Sequence, residues 1–305
     1  MAYERNTVKL IRQIIISAII LSVSQLYSQE NAGLAFLKVD VDARAAAMAG
    51  AYTALTNDAS AAYWNPAALA MAKENTLTGM YNNWFAGISH SFIAAQFMTG
   101  DNAMALSFNY QNISGIEIRD SNTEEPDGIV DVFNLAAALS YATSYNDWNV
   151  GITLKYLFEK SYLASAPGWA VDIGLYKKDF YGGTDFGFVV QNLGKMSELY
   201  KEATKLPIII RTGIAYKIPS FFDDNLMVSP EIQWIENEKT YIKFGVQYYI
   251  SEYLVLRSGL KNGNEDLLFT GGIGIVYENI HLDYAYAPLE YELGPTNRFS
   301  FCLSF

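Results

Sequence analysis

Seven ionisable side chains occupy alternating positions between small and polar residues, and they are the groups in this sequence best placed to act together. Because the set carries both signs, the simplest expectation is a ladder of ion pairs that satisfies buried polar groups. The same side chains could instead line a polar conduit or hold the charged head of a ligand. The seven residues are Lys155, Asp172, Arg211, Glu231, Lys243, Arg257 and Asp283.

The sequence lacks the motifs on which the common enzyme classes depend. It contains no Gly-x-Ser-x-Gly, His-Glu-x-x-His or P-loop pattern, and the single Cys302 cannot form an internal disulfide. The acidic run 120–131 lacks the ligand spacing of a calcium loop. We therefore predict a non-enzymatic protein without a bound metal or cofactor. The net charge of −11 also argues against nucleic acid as a partner.

From residue 76 to the end, apolar and polar side chains alternate with a period of two, which predicts β-strands. The last residues show the pattern clearly, because Phe299, Phe301 and Leu303 alternate with Ser300 and Cys302. Turn residues divide the chain into fourteen predicted strands, an even number that brings both ends to one side. The predicted strands are 76–85, 88–99, 102–112, 131–144, 148–159, 167–178, 184–193, 206–218, 225–236, 240–250, 253–261, 266–278, 280–288 and 297–305.

An apolar outer face and a polar inner face are typical of a barrel in a membrane, where an open sheet edge cannot satisfy its backbone groups. The 22 Tyr and 5 Trp supply rings for the two interfacial belts. A soluble sandwich or propeller explains the alternation but not the apolar outer face. We predict an all-β, 14-stranded antiparallel transmembrane β-barrel spanning residues 76–305, with both termini in the periplasm. His90 and His281 then fall at opposite ends, each as an interface residue.

Connection lengths predict the same orientation independently. The connections expected to face outward are long, at 113–130, 160–166, 194–205 and 289–296. Those expected to face the periplasm are mostly short, at 100–101, 145–147, 251–252 and 279. Long outer loops and short periplasmic turns are typical of outer-membrane barrels.

Two segments precede the barrel. Residues 1–28 have basic residues followed by the apolar run 14–23, which is too short to cross a bilayer and indicates a signal peptide. An N-terminal membrane anchor is the alternative. Residues 29–75 are rich in Ala and Gly and form no core alone, so we predict a small, partly helical hatch inside the barrel. The hatch could be a static plug or a movable gate.

The stretch 32–69 resembles the N-terminal signature of the PorV/PorQ family of outer-membrane barrels, which is related to the FadL transporters. The matching residues include 36–38, 48–52, 58–61 and Tyr63-Trp64-Asn65-Pro66-Ala67, and the similarity returns at 293–298 and Phe305. The chain departs from the family pattern at 47–50 and at Thr296-Asn297-Arg298.

The resemblance implies a bacterial outer-membrane protein of type IX secretion, which binds cargo or attaches it to the surface. Its expected partners are outer-membrane lipid and a secretion translocon or cargo protein. The alternative is a FadL-like channel for long-chain fatty acids or other hydrophobic small molecules, with a hydrophobic ligand as the partner. FadL relatives carry a hatch with an Asn-Pro-Ala motif, which Asn65, Pro66 and Ala67 resemble.

Overall fold

The structure is a computed structural model that describes residues 33–84, 87–119, 121, 124–219, 225–262, 267–289 and 294–305. The predicted signal peptide, 1–28, and the first residues of the predicted hatch lie outside this range.

Fourteen antiparallel strands form a closed barrel, which confirms the predicted fold class and strand count. Each barrel strand pairs with its neighbours along the chain, and β1 closes the ring on β16 in a register that runs from Thr76 opposite Ser304 to Asn83 opposite Asn297. The barrel strands are β1 (Thr76–Asn83), β2 (Ile88–Thr99), β3 (Asn102–Ile118), β4 (Gly128–Tyr145), β5 (Trp148–Ser161), β6 (Ala164–Tyr181), β7 (Thr184–Met196), β10 (Ile209–Lys217), β11 (Leu226–Ile235), β12 (Thr240–Tyr249), β13 (Leu254–Asn262), β14 (Leu267–Tyr277), β15 (Ile280–Pro288) and β16 (Pro295–Ser304). A separate two-stranded hairpin, β8 (Glu198–Leu199) and β9 (Glu202–Ala203), follows β7.

The two ends of the barrel differ in the elements that project from them. We call the end where β1 begins and β16 finishes the terminal rim, and the opposite end the distal rim. The distal rim carries the β8–β9 hairpin and the ends of β3 and β4. The terminal rim carries short turns such as Asn146-Asp147, where both residues have positive φ.

The connections at the distal rim differ from the sequence prediction, which treated 113–130 and 160–166 as loops. In the structure β3 continues to Ile118 past an irregularity after Ile113, and β4 already begins at Gly128. Likewise, β5 and β6 are joined by Tyr162 and Leu163 alone. The prediction ended these strands where the apolar pattern stopped. Antiparallel partners continue to hydrogen-bond to one another in water, so the sheet extends beyond the apolar band.

The wall separates its side chains as the alternation predicts. Phe244 and Leu256 are exposed on the outer surface, whereas their neighbours Lys243 and Arg257 are buried in the lumen. Many outward positions carry large apolar residues, such as Phe97, Leu154 and Phe269, which suits contact with lipid.

The hatch, described from Gly33 to Asn75, fills the lumen. It contains a 3₁₀-helix at Ala35–Lys38, α1 (Ala43–Ala47), α2 (Ala61–Trp64) and a second 3₁₀-helix at Pro66–Met71. Of the helices in the described residues, none has the length and apolar content needed to cross a membrane. Trp64, Phe36, Met48 and Leu69 are fully buried, so the apolar core of the protein lies between hatch and wall.

Candidate functional site

The Asn65-Pro66-Ala67 motif forms a capped turn against the wall. The side-chain oxygen of Asn65 accepts a hydrogen bond from the Ala67 N–H at 3.2 Å, which caps the 3₁₀-helix that Pro66 begins. Its amide nitrogen donates to the carbonyl of Leu175 on β6 at 3.0 Å. A single buried side chain therefore fixes both the local turn and its attachment to the barrel.

Wall glycines create the space for this motif. Gly151 and Gly174 lie directly opposite each other on β5 and β6. A Cβ at Gly151 would overlap the backbone of Pro66 and Ala67, and one at Gly174 would overlap the side chain of Asn65. Further wall glycines on β7, β12, β13 and β14 lie equally close to the hatch, which therefore approaches the wall at backbone distance.

The hatch contacts every strand of the barrel. Side-chain or backbone contacts occur at Thr76, Gln96, Ala105, Ala142, Gly151, Gly174, Gln191, Arg211, Glu231, Gly245, Gly259, Thr270, Ala285 and Ser300. The hatch is therefore held from all sides of the barrel.

Four of the seven predicted lumenal charges pair with one another. Lys155 on β5 and Asp172 on β6 form an ion pair at 2.6 Å, and Asn192 accepts a further bond from Lys155 at 2.8 Å. Arg257 on β13 and Asp283 on β15 form a second pair at 2.5 Å, both side chains being nearly inaccessible to solvent. These pairs neutralise buried charge within the wall.

The other three predicted charges contact the hatch. Glu231 accepts the backbone N–H groups of Tyr52 at 3.0 Å and Thr53 at 2.9 Å. Lys243 donates to the carbonyl of Gly50 at 3.3 Å. Arg211 stacks on Trp64, with its guanidinium carbon 4.6 Å from the ring centroid.

The sequence analysis did not identify several residues that attach the hatch to the wall or stabilise the hatch internally. Asp42 accepts a bond from Ser300 on β16 at 2.8 Å, and Arg44 forms a 2.5 Å ion pair with Asp58 inside the hatch. Burial raises the pKa of Asp42 to about 6, although the neighbouring Arg44 opposes the shift. Thr270 on β14 donates to the Ala47 carbonyl at 2.8 Å. The alternation of β16 placed Ser300 inward, but no sequence signal identifies its partner.

The two histidines lie in different surroundings. His90 is fully buried in the lumen, where it contacts Asn109, so its prediction as an interface residue was wrong. His281 is the second residue of β15, at the terminal rim. Among the described residues, no group of three or more His, Cys, Asp or Glu side chains is arranged to hold a metal ion.

A cavity of about 490 Å³ lies between the hatch and the distal rim, and we call it the distal chamber. Hatch residues from Lys38 to Asp40, with Ala46 and Ala49, form one side. The inner faces of β11 to β16 form the other, and they contribute Lys243, Lys261 and Arg298.

A closed 14-stranded barrel with an apolar outer wall and a hatch in its lumen defines an outer-membrane β-barrel of the FadL-like transporter fold. The chain belongs to the PorV family, because the family model described as "Type IX secretion system protein PorV" matches residues 28–232. No curated protein matches the chain.

Solved transporter structures share the fold. The toluene transporter TbuX of Ralstonia pickettii has 15% identity and a TM-score of 0.62, with 87% of this chain and 98% of that chain covered. The monoaromatic hydrocarbon channel CymD has 12% identity and a TM-score of 0.66, with 90% and 99% covered. The toluene transporter TodX of Pseudomonas putida has 12% identity and a TM-score of 0.63, with 86% and 96% covered.

Proposed function

We propose that this protein is a non-enzymatic outer-membrane component of type IX secretion, which binds a cargo protein or the translocon at its distal rim. The terminal rim faces the periplasm and the distal rim faces the cell exterior. The observation that carries the proposal is the contact of the hatch with every strand of the barrel. A hatch attached to every strand leaves the distal rim, with its projecting strands, as the surface available to a large partner.

The membership of the PorV family supports the same role. The distal rim also has the features of a protein-binding surface, because the β8–β9 hairpin projects from it and exposes Glu198 and Glu202. The length of β3 and β4, 17 and 18 residues, exceeds the roughly 9–11 residues that a membrane strand needs. These strands extend the rim outside the bilayer.

The test is secretion in the native bacterium with an altered distal rim. Glu198 and Ala203 are paired across the β8–β9 hairpin. Glu198→Lys combined with Glu202→Lys reverses the exposed charge of the hairpin and keeps Leu199, which packs against the buried core between hatch and wall. The variant should insert at the normal level but leave cargo in the periplasm, and the tagged protein should lose its cross-links to the translocon or cargo. The matched control is Asp147→Gly at a terminal-rim turn, where positive φ suits glycine. Normal secretion by both variants would contradict the proposed surface.

A FadL-like channel for hydrophobic small molecules is the second candidate, favoured by apolar chamber residues such as Val39, Ile235 and Leu268. Transport would require the hatch to move. Deleting 33–72 should leave a barrel that inserts and conducts ions in planar bilayers, whereas the intact protein should not conduct. Uptake of a hydrophobic compound that depends on the intact protein would favour the channel over secretion.

A further inference from the structure

The barrel wall lacks a strand beside the distal end of β7. β7 pairs with β10 only as far as Gln191, which lies opposite Ile209, and then continues to Met196. On its other side, β7 stays paired with β6 as far as Met196, which lies opposite Gly168. Among the described strands, none therefore lies beside residues 192–196 on the β10 side, and we call this side the open edge.

The backbone groups of Gly194 and Met196 point toward the open edge. The N–H of Ser197 donates to the carbonyl of Pro167 on β6 at 2.8 Å. Hydrogen-bonded and non-hydrogen-bonded pairs alternate along an antiparallel ladder, so Lys195 also bonds to β6 and its two neighbours direct their N–H and C=O groups the other way. In the described part of the chain, those groups of Gly194 and Met196 have no hydrogen-bond partner.

The segment that precedes β10 turns toward the lumen instead of running beside β7. The hydroxyl of Thr204 donates to the carboxylate of Glu159 on β5 at 2.7 Å, and Leu206 is buried in the core between hatch and wall. The sheet resumes where the N–H of Glu236 donates to the carbonyl of Ile208 at 2.9 Å. A notch therefore remains in the wall next to the open edge.

The notch is a cavity of about 390 Å³ at the distal rim. It is lined by residues 194–196 of β7, by 203–206 and 208 before β10, and by 236 and 237 after β11. β7 has 13 residues, whereas a membrane strand needs roughly 9–11, so its last residues stand at the outer limit of the bilayer or beyond it. The exposed Lys195 on this stretch fits contact with water. A polypeptide can therefore reach the notch from the distal side.

We propose that an extended segment of a partner protein adds to the open edge as an extra strand. Its backbone exchanges hydrogen bonds with Gly194 and Met196, and the apolar notch residues Leu206 and Ile208 contact its side chains. The chemistry of the edge selects this occupant, because N–H and C=O groups at strand spacing are matched by another strand and not by a hydrocarbon or an ion. The inference rests on the proposed function, since it states how a protein partner is held at the distal rim.

The binding test uses a synthetic strand-forming peptide as the probe. The peptide is acetyl-Lys-Thr-Val-Thr-Val-Thr-Lys-amide with a fluorescent label, and its control has Pro-Pro in place of the central Thr-Val. Fluorescence polarisation follows binding to the purified protein in a non-ionic detergent. The control should bind at least about tenfold more weakly, because proline has no N–H to donate and both peptides carry the same charge.

Met196→Pro and Met196→Ala form a matched pair of variants. Both remove the same buried thioether, but only proline also removes the N–H that faces the open edge. The ladder to β6 is kept, because that N–H does not take part in it. Met196→Pro should bind the peptide about tenfold more weakly than Met196→Ala does. Heat-modifiable migration in electrophoresis verifies that each barrel is folded.

Hydrogen exchange measured by NMR tests the unaltered protein and needs no variant. The amides of Gly194 and Met196 should exchange faster than that of Lys195 in the free protein, because only Lys195 donates to a neighbouring strand. Saturating peptide should slow the exchange of Gly194 and Met196 and leave Lys195 unchanged.

The proposal is overturned if the probe peptide does not bind, or if the Pro-Pro peptide binds as tightly. It is equally overturned if folded Met196→Pro binds the peptide as Met196→Ala does, or if the peptide leaves the exchange of Gly194 and Met196 unchanged. A dimer of the purified protein that Met196→Pro abolishes would assign the edge to a second copy and overturn the choice of a partner protein.

Secretion by the same variants separates this inference from the proposed function. If Met196→Pro abolishes peptide binding but secretes normally, while the charge reversal at Glu198 and Glu202 blocks secretion, the distal-rim role stands and strand addition by the partner is overturned. If peptide binding depends on the Met196 N–H but neither variant alters secretion, the open edge binds strands and the secretion role is contradicted.

Discussion

Asn65 should control how firmly the hatch is docked. Asn65→Ala removes the cap on the second 3₁₀-helix, worth about 0.5–2 kcal/mol, because the Ala67 N–H loses its acceptor. It also leaves the Leu175 carbonyl without its 3.0 Å bond, at a cost of about 1–3 kcal/mol. Together these losses should destabilise the docked hatch by about 1.5–5 kcal/mol, while the closed barrel remains.

Hydrogen exchange followed by mass spectrometry measures this effect directly. Local opening of the hatch sets the exchange rate of the amides in 61–71. A loss of about 1.5–5 kcal/mol should speed their exchange by a factor of about ten to several thousand, with the wall amides unchanged. Asn65→Asp keeps the oxygen that caps Ala67 but loses the donor to Leu175, so its effect should be intermediate.

The control is Asn57→Ala, which makes the same substitution at an exposed position of the hatch. Its only described side-chain bond is a 3.4 Å contact with Arg44, so the expected change is within about 0.5 kcal/mol. If Asn65→Ala leaves the exchange of 61–71 as slow as Asn57→Ala does, Asn65 does not hold the hatch and the reasoning is refuted.

Three further predictions concern the wall, the orientation and the pH response. Phe244→Arg should reduce the folded fraction seen in electrophoresis far more than Phe244→Leu does. The expected loss of folding free energy is about 2–4 kcal/mol if position 244 lies at the membrane midplane. Equal effects of the two substitutions would contradict the outward register. A membrane-impermeant thiol reagent on intact cells should label Glu198→Cys but not Asp101→Cys, whereas the reverse pattern would invert the proposed orientation. Burial raises the pKa of Asp42 to about 6 from its ordinary 3.8, although Arg44 opposes the shift, so folding favours the protonated form. The docked hatch should therefore lose stability as the pH rises from about 4 to 6. The hydrogen-exchange rate of the hatch amides should increase with pH more steeply in the unaltered protein than in Asp42→Asn. Equal pH dependence in the two proteins would argue against a raised pKa of Asp42.

The design of the hatch explains why small residues dominate it. Ala43, Ala46 and Ala47 pack against Ala285, and glycines occupy the wall where the hatch backbone comes closest. Large side chains on either surface would hold the two apart. Close approach lets backbone groups of the hatch reach wall side chains such as Glu231, which receives two of them. The alanine-rich composition is thus a packing requirement of a segment enclosed on all sides.

Much of the fold was predictable from the sequence because a barrel strand repeats one rule at every second residue. The alternation placed fourteen strands correctly, and it placed Lys155, Asp172, Arg211 and Lys243 at positions that the structure buries. The strand ends were less predictable. Pairing between β3 and β4 continues where the apolar pattern stops, because hydrogen bonds between antiparallel strands do not require lipid.

The partners of the lumenal residues depend on the tertiary structure. The alternation predicts that a side chain faces the lumen, but it does not predict which groups that side chain contacts there. Lys155 forms an ion pair with Asp172 on the next strand. Glu231 instead accepts a hydrogen bond from the backbone N–H of Tyr52, 179 residues away in sequence. Arg298 on β16 is of the same kind, because its guanidinium donates to the backbone carbonyl of Asp40, 258 residues away in sequence, at 2.6 Å.

The sequence by itself determined the barrel, its strand number, the two faces of its wall and the small-residue segment that enters it. These properties follow from local periodicity and composition, and closure is compulsory in lipid. The tertiary structure decided which charges neutralise each other and which hold the hatch. Those outcomes depend on distances between residues far apart in the chain, and no local pattern encodes such distances.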